Sequence, residues 1–135
     1  MNFTYEIGSL TSPEYIDLLK SVGWKLGSNL NLDSVNVALQ NTSYTIVVRS
    51  SEGEAIAAGR AFSDDLTMTF IPDILVKPEY QRQGHGKKIV EMIKSRFGHT
   101  IFFFGSQQES FFEKLDFKKG MPSFTGRFSA NSFFD

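Results

Sequence analysis

Two glycines, Gly84 and Gly86, stand where an apolar strand pattern gives way to a helical one. Glycine lets the backbone turn sharply and approach a ligand closely. The first N–H groups of a helix have no acceptors within that helix, so with the helix dipole they form a site for a phosphate group. Because Arg82, Lys87 and Lys88 add positive charge around the glycines, this loop predicts a site for a phosphate-bearing anion.

The glycine spacing by itself is equally typical of a plain strand-to-helix turn. The loop lacks the spacing and the Gly-Lys-Ser/Thr ending of a nucleotide P-loop, and it lacks the third glycine of a dinucleotide fingerprint. Neither nucleotide-binding class is supported.

Pro72 lies inside the strand pattern that leads to this loop. Because proline cannot donate a ladder hydrogen bond, we expect an edge, a bulge or a splay at this point. A strand opened there exposes main-chain donors and acceptors beside the loop.

Apolar periodicity, caps and turn residues predict the elements that position the loop. Before it we expect a strand at 4–7, a helix from an N-cap at Ser12 to about residue 21, a helix capped by Asn31 or Asp33, and strands at 44–49, 54–62 and 67–76. After it we expect a helix with the apolar stripe Ile89, Val90, Ile93 and Phe97 that ends at Gly98, a strand at 101–104, a helix from 105 through Leu115, and one or two strands within 117–128.

The run at 101–104 is wholly apolar, as in a strand buried on both faces, and its place after a helix predicts parallel pairing. The fold class is therefore α/β or α+β with a mixed sheet.

Composition limits the possible functions. A chain of 135 residues that is 41% hydrophobic can form one domain, residues 1–135, with its own core. The absence of cysteine excludes disulfides and cysteine nucleophiles, and two histidines make a metal site improbable. A net charge of −1 argues against a nucleic-acid partner, and no membrane span or signal peptide is recognisable. We expect a soluble, cytoplasmic protein.

Two motifs resemble the GCN5-related N-acetyltransferase (GNAT) family. Residues 76–86, VKPEYQRQGHG, are similar to its pyrophosphate-binding signature, Gln/Arg-x-x-Gly-x-Gly/Ala after a Val-x-Pro strand ending. Residues 110–117, SFFEKLDF, are similar to a later motif, commonly Phe-Tyr-Glu-Lys-Leu-Gly-Phe. The motifs stand in the family's order with the expected strand and helix between them, and the resemblance covers residues 44–120 well.

The resemblance implies an acetyl-CoA-dependent N-acetyltransferase on a mostly antiparallel mixed sheet, with one parallel pair splayed at the cofactor site and about four flanking helices. The loop amides would hold the pyrophosphate, and the splayed strand would pair with the pantetheine arm. The residues implied in cofactor binding are Ile74, Leu75, Val76, Gln81, Arg82, Gln83, Gly84, His85, Gly86, Lys87, Lys88 and Phe111.

The reaction implied is direct attack of a neutral amine on the thioester. Asp73, beside the pantetheine strand, is the candidate catalytic base, directly or through water, and the alternative is that it orders the strand or binds a positive group. Phe112 replaces the family's usual tyrosine, so no acid is assigned. Arg60 would pair with an acid on the neighbouring strand or hold a substrate carboxylate.

We expect the acceptor to be a small polar amine such as an amino acid. The alternatives are a protein or peptide N-acetyltransferase and a non-catalytic acyl-CoA-binding regulatory module. Residues 121–135 carry more apolar surface than a tail needs, so a homodimer contact is a further candidate.

Overall fold

A five-stranded mixed sheet in the order β1-β2-β3-β4-β5 organises the chain. The strands are β1 (Thr4–Ile7), β2 (Tyr44–Arg49), β3 (Ala55–Ser63), β4 (Met68–Val76) and β5 (Ile101–Phe104). The computed structural model describes residues 2–28, 30–105, 109–120, 123–126, 128 and 133. Neighbouring strands are antiparallel except for β4 and β5, which are parallel. The predicted fold class and its single parallel pair are confirmed.

Helices pack on both faces of the sheet. Within the described residues they are α1 (Ser12–Ser21), α2 (Leu32–Gln40), α3 (His85–Phe97) and the short α4 (Glu109–Glu113), with a 3-10 turn at Pro78–Tyr80. Val47 belongs to the core cluster under α1 and α2, whereas Ile46 and Val48 belong to the cluster under α3. The two-residue period of β2 therefore supplies both cores. None of these helices is long and apolar enough to cross a membrane.

Helix starts follow the predicted caps with one shift. Asn31 caps α2 by accepting N–H bonds from Asp33 and Ser34, as predicted. The N-cap of α1 is Thr11, because Thr11 and Glu14 form a reciprocal capping box. The prediction of Ser12 as the cap was therefore wrong by one residue.

Around Pro72, β4 shifts its register with β3 and loses its pairing with β5. Between the pairs Phe62↔Phe70 and Arg60↔Asp73 the register shifts, with one more residue on β4 than on β3. This is the expected bulge. Pairing with β5 ends at Ile71↔Phe104. Among the described residues, β4 then continues to Val76 with its β5 side unpaired.

The predictions for the last part of the chain are only partly met. Ile101 is 66% exposed and the rest of β5 is half-buried, so β5 is not buried on both faces as expected. Within the described ranges only β4 pairs with β5, and this explains the exposure. Helix α4 ends at Glu113, before Leu115, and its expected start lies partly outside the described residues.

The expected closing strands within 117–128 are absent from the described part of that segment. In residues 121–135, Phe124 and Phe128 are 99% exposed. Phe133 packs against the core under α1 and α2. Most of this segment lies outside the described residues.

Helix α3 lies close to the sheet because β3 carries a glycine beneath it. A Cβ atom added at Gly59 would lie 2.4 Å from Cγ2 of Ile89, a fully buried side chain. The absence of a side chain therefore sets the separation of α3 from the sheet, and with it the height of the helix N-terminus above β4.

We predict that Gly59→Ala lowers the free energy of unfolding by about 1–3 kcal/mol, the usual cost of overpacking. The measurement is urea denaturation followed by circular dichroism. Gly120→Ala is the matched control, since no heavy atom lies within 4 Å of a Cβ added there. Equal stabilities for the two variants would contradict the close packing.

Candidate functional site

The first turn of α3 presents uncapped N–H groups beside β4. Gly84 is the N-cap, with φ 89° in the left-handed region, and no side chain caps the helix. A Cβ added at Gly84 would meet no heavy atom within 4 Å. The first helical hydrogen bond runs from the N–H of Lys88 to the Gly84 carbonyl, so the N–H groups of His85, Gly86 and Lys87 lack intrahelical acceptors. This open turn fits an anionic group.

The loop before Gly84 is held by its own glutamines. Nε2 of Gln81 donates to the Val76 carbonyl over 3.0 Å, and Nε2 of Gln83 donates to the Glu79 carbonyl over 3.3 Å. Arg82 adopts a left-handed conformation with φ 60° and is exposed. The two glutamine side chains therefore hold the main chain of the loop in place, and the positive charge comes from exposed basic residues.

Gly86 brings together three of the residues predicted to bind the cofactor. A Cβ added at Gly86 would lie 3.2 Å from Cζ of Phe111 and 3.8 Å from Cγ2 of Ile74. Phe111 on α4 and Ile74 on β4 thus flank the first turn of α3. Leu75 instead turns its buried side chain into the core under α1 and α2, so only its main chain can face the unpaired edge.

Asp73 is buried in a network of hydrogen bonds. Its Oδ2 accepts bonds from Nη2 of Arg60 over 2.8 Å and from the hydroxyl of Tyr15 over 2.7 Å, and Nε of Arg60 lies 3.1 Å from Oδ1. The side chain of Arg60 is 12% exposed and that of Asp73 is 8% exposed. Asp73 thus binds a positive group, one of the two roles that the sequence left open.

The charge state of this network follows from its contacts. Burial, followed by the charge of Asp73, raises the pKa of Tyr15, so its hydroxyl remains a donor. Burial alone would lower the pKa of Arg60, but its hydrogen bonds and charge pairing with Asp73 outweigh burial and raise that pKa. Arg60 is therefore a cation whose charge is already paired across the strand, as predicted, and the structure does not leave it open to a substrate carboxylate.

His85 turns its side chain away from the open turn and towards β1. The ring is 5% exposed, and its Nδ1 lies 2.6 Å from the hydroxyl of Tyr5. The ring of Phe3 packs edge-on at 4.5 Å. Nε2 is buried and has no hydrogen-bond partner among the described residues. Burial, and then the charge of Lys88, lowers the pKa of His85.

The contacts of Tyr5 and Tyr15 were missed by the sequence analysis. Tyr5 is 80 residues from His85 and Tyr15 is 58 from Asp73. No local spacing could have indicated either pair, because each hydroxyl meets its partner only through the sheet topology.

Phe112 packs in an aromatic cluster next to the site. Its ring centroid lies 4.1 Å from that of Phe104 and 6.2 Å from that of Phe117. The position that carries a tyrosine in the resembling motif is thus occupied by a ring that contacts β5.

Known proteins are similar to this chain in sequence and in fold. The family model described as "Acetyltransferase (GNAT) domain" matches residues 41–119. GCN5-related N-acetyltransferase 2, chloroplastic, of Arabidopsis thaliana is 34% identical over 85 residues, which cover 59% of this chain and 33% of that protein. Histone acetyltransferase TAP1 of Glycine max is 31% identical over 127 residues, which cover 82% of this chain and 53% of that protein. The chain thus spans only about a third to a half of the length of these two relatives.

A solved GNAT-family acetyltransferase from Streptococcus pneumoniae has the same fold. The two structures align with a TM-score of 0.72 over 93% of this chain and 100% of the other. Their sequence identity is 18%, so the similarity concerns the fold.

We predict that the imidazole of His85 titrates below its ordinary value near pH 6.5. As the pH falls, the unfolded chain therefore binds this proton before the folded chain does. The contribution of His85 to stability is complete above about pH 6.5 and is lost as the pH falls through the lower pKa of the folded chain. The pKa is measured from the imidazole nitrogen chemical shifts, followed by NMR between about pH 4 and 8. The His85 signals are assigned by their absence from the spectrum of His85→Gln. A pKa at or above 6.5 would contradict the buried, neutral ring.

Proposed function

The chain belongs to the GNAT family of acetyltransferases, and on that premise we propose that it is an acetyl-CoA-dependent N-acetyltransferase, with residues 1–135 as one domain. The observation that carries the proposal is the uncapped first turn of α3 at Gly84, next to the unpaired edge of β4 after Pro72. An anion site and an open strand edge side by side fit the two parts of a coenzyme A molecule, its pyrophosphate and its amide-containing arm.

The residues proposed to hold the cofactor act mainly through the main chain. The N–H groups from Arg82 to Lys87 would bind the pyrophosphate, because they carry the positive end of the helix dipole. The main chain of residues 74–76 would pair with the pantetheine amides as an added strand. Phe111 and Ile74, which both lie next to Gly86, would contact the bound cofactor. Bound acetyl-CoA supplies a thioester, whose thiolate is a fairly good leaving group.

The protein's contribution to the chemistry is electrostatic and positional. A main-chain N–H near Leu75 or Val76 would stabilise the negative charge that develops during attack by the amine. The attacking amine must be neutral, so a proton acceptor has to lie nearby or the amine must arrive deprotonated. Asp73, beside the open edge, is our candidate for this role.

The geometry supports Asp73 as a base acting through water rather than directly. Oδ2 is occupied by Arg60 and Tyr15, whereas Oδ1 accepts only from Nε of Arg60 among the described residues. A carboxylate oxygen has two lone pairs, so Oδ1 retains one for an ordered water. That water would accept the amine proton and pass one of its own protons to Oδ1, while Oδ2 keeps its hydrogen bonds to Arg60 and Tyr15.

A small polar amine remains our proposed acceptor, with a protein or peptide as the second candidate. The second is favoured by the name of one relative, a histone acetyltransferase. Arg60 was the residue predicted to hold the carboxylate of a carboxylate-bearing amine. Because Arg60 already pairs with Asp73, it no longer supports such an acceptor. A panel of amines, amino acids and histone-type peptides, assayed for release of free CoA, separates these classes. Binding of acetyl-CoA with no turnover on any acceptor would support the non-catalytic module.

The location and assembly of the protein belong to the proposal as well. The cytoplasm is the compartment that the sequence predicts, although one relative is named chloroplastic. A homodimer through residues 121–135 also remains a proposal. Cell fractionation of a tagged chain and analytical ultracentrifugation test the two statements.

We predict that Gly84→Glu weakens CoA binding by at least tenfold, equivalent to about 1.4 kcal/mol. The added carboxylate would repel the pyrophosphate, and the left-handed backbone disfavours any side chain. Isothermal titration calorimetry with CoA gives the dissociation constant.

The matched control for this experiment is Gly8→Glu. Gly8 has a similar left-handed φ of 80° and the same open surroundings, but it lies outside the loop and its N–H is already bonded to the Thr45 carbonyl. Its CoA affinity should equal that of the parent. Unchanged binding by Gly84→Glu would refute the cofactor site.

We predict that Asp73→Asn lowers kcat roughly 10²-fold, the low end of general-base effects, and leaves the affinity for acetyl-CoA nearly unchanged. The substitution keeps the size of the side chain and removes its charge. The measurement is the pH–rate profile of the variant beside that of the parent.

Tyr15→Phe serves as its control, because it removes one hydrogen bond to Asp73 and keeps the carboxylate. The two variants should differ in rate while both remain folded. A parental rate and profile in Asp73→Asn would show that Asp73 is structural. If cofactor binding or folding fails as well, Asp73 holds β4 and the base lies elsewhere.

A further inference from the structure

We propose that β1 positions the cofactor loop through the hydrogen bond between Tyr5 and His85, which makes Tyr5 a positioning residue for CoA binding. The inference rests on the proposed function, because it assigns to the first strand a role in the affinity of the site. Neither residue need touch the cofactor with its side chain.

Strand β1 and the residue just before it, Phe3, contact the loop at both of its ends. The ring of Phe3 packs edge-on against Tyr80, in the 3-10 turn where the loop begins, with ring centroids 5.9 Å apart. The same ring packs against His85, where α3 begins, and the Tyr5 hydroxyl bonds to Nδ1 of that residue. Phe3 and Tyr5 together thus contact both ends of the loop that carries the candidate anion site.

His85 is the residue through which such a contact reaches the main-chain donors. It is the first residue of α3 and lies between Gly84, whose backbone is left-handed, and the helical Gly86. Its ring is buried, so a change in ring orientation must be accommodated by the backbone of the first turn. Because the N–H groups of that turn would bind the pyrophosphate, a shift of His85 moves the donors of the site.

The Tyr5 hydroxyl is the only hydrogen-bond partner of the imidazole among the described residues, since Nε2 has none. Burial raises the pKa of Tyr5, so the hydroxyl keeps its proton, and the tautomer of the imidazole determines which of the two atoms donates. The charged group that faces this pair is Lys88 of α3, whose Nζ lies 4.3 Å from the centre of the Tyr5 ring. A neutral imidazole avoids a second positive charge beside this ammonium.

The first test is Tyr5→Phe, which removes the hydroxyl and keeps the ring that Lys88 contacts. The dissociation constant of CoA, measured by calorimetry, should rise about three- to tenfold, as expected for one lost hydrogen bond. Amide hydrogen exchange of Lys88, whose N–H bonds to the Gly84 carbonyl across the first turn, should become faster at the same time.

Tyr44→Phe is the control at the other end of the same helix. The Tyr44 ring packs against Phe97 with centroids 5.6 Å apart, so this variant also loses a hydroxyl from a ring that supports α3. Its CoA affinity and its exchange at the first turn should match those of the parent. Equal losses of affinity in the two variants would indicate general destabilisation and would overturn the proposal.

A double-mutant cycle tests whether Tyr5 acts through His85. In a His85→Phe background, Tyr5→Phe should change CoA affinity no further, because the partner is already absent. An equal effect in both backgrounds would overturn the proposal. Should His85→Phe fail to fold, the exchange rate of the Lys88 amide in Tyr5→Phe decides the question, and an unchanged rate would overturn the proposal.

The outcomes separate this proposal from the assignment of the cofactor. If the parent protein does not bind CoA, the proposed function fails. If the parent binds CoA and Tyr5→Phe binds it equally well, the cofactor site stands and the positioning role of β1 is wrong.

Discussion

Pro72 and the bulge around it determine where the sheet opens. Proline has no N–H to donate, and within the described part of the chain β4 pairs with β5 only up to Ile71, so the rest of the strand has no described partner on that edge. Unpaired main-chain groups need water or another polar partner. The edge that ends at Val76 therefore both limits the sheet and provides an extended set of donors and acceptors. Every candidate functional residue in the fold lies near this edge or near the loop that follows it.

The close packing of α3 on the sheet places the candidate anion site next to that edge. Because Gly59 has no side chain, Ile89 packs directly onto β3 and the helix lies close to the sheet. Gly86 similarly permits the ring of Phe111 to approach the first turn. Two positions without side chains thus bring a helix N-terminus, a strand edge and an aromatic ring together. Binding groups of this kind are main-chain atoms, so their placement depends on packing more than on the identity of polar side chains.

The ion pair between Arg60 and Asp73 stabilises β4 directly after the bulge. Removing both charges from water is costly, and the cost is offset because the pair is closely hydrogen-bonded and Tyr15 provides a third contact. The pair joins β3 and β4 where their register has just shifted. A carboxylate held in this way can still accept a hydrogen bond from a nearby water, but it is not free to bind a second cation.

The order of the elements as far as α4, an irregularity at Pro72, the glycine loop and the family resemblance were determined by the sequence, because each depends on residues close together in the chain. The tertiary structure alone decided the partner of Asp73, the burial of His85 against β1, and the exposure of Ile101. Those properties depend on residues that are distant in sequence, or on which neighbours cover a strand. Local preferences carry no information about such contacts, since only the folded sheet brings Tyr5 to the start of α3.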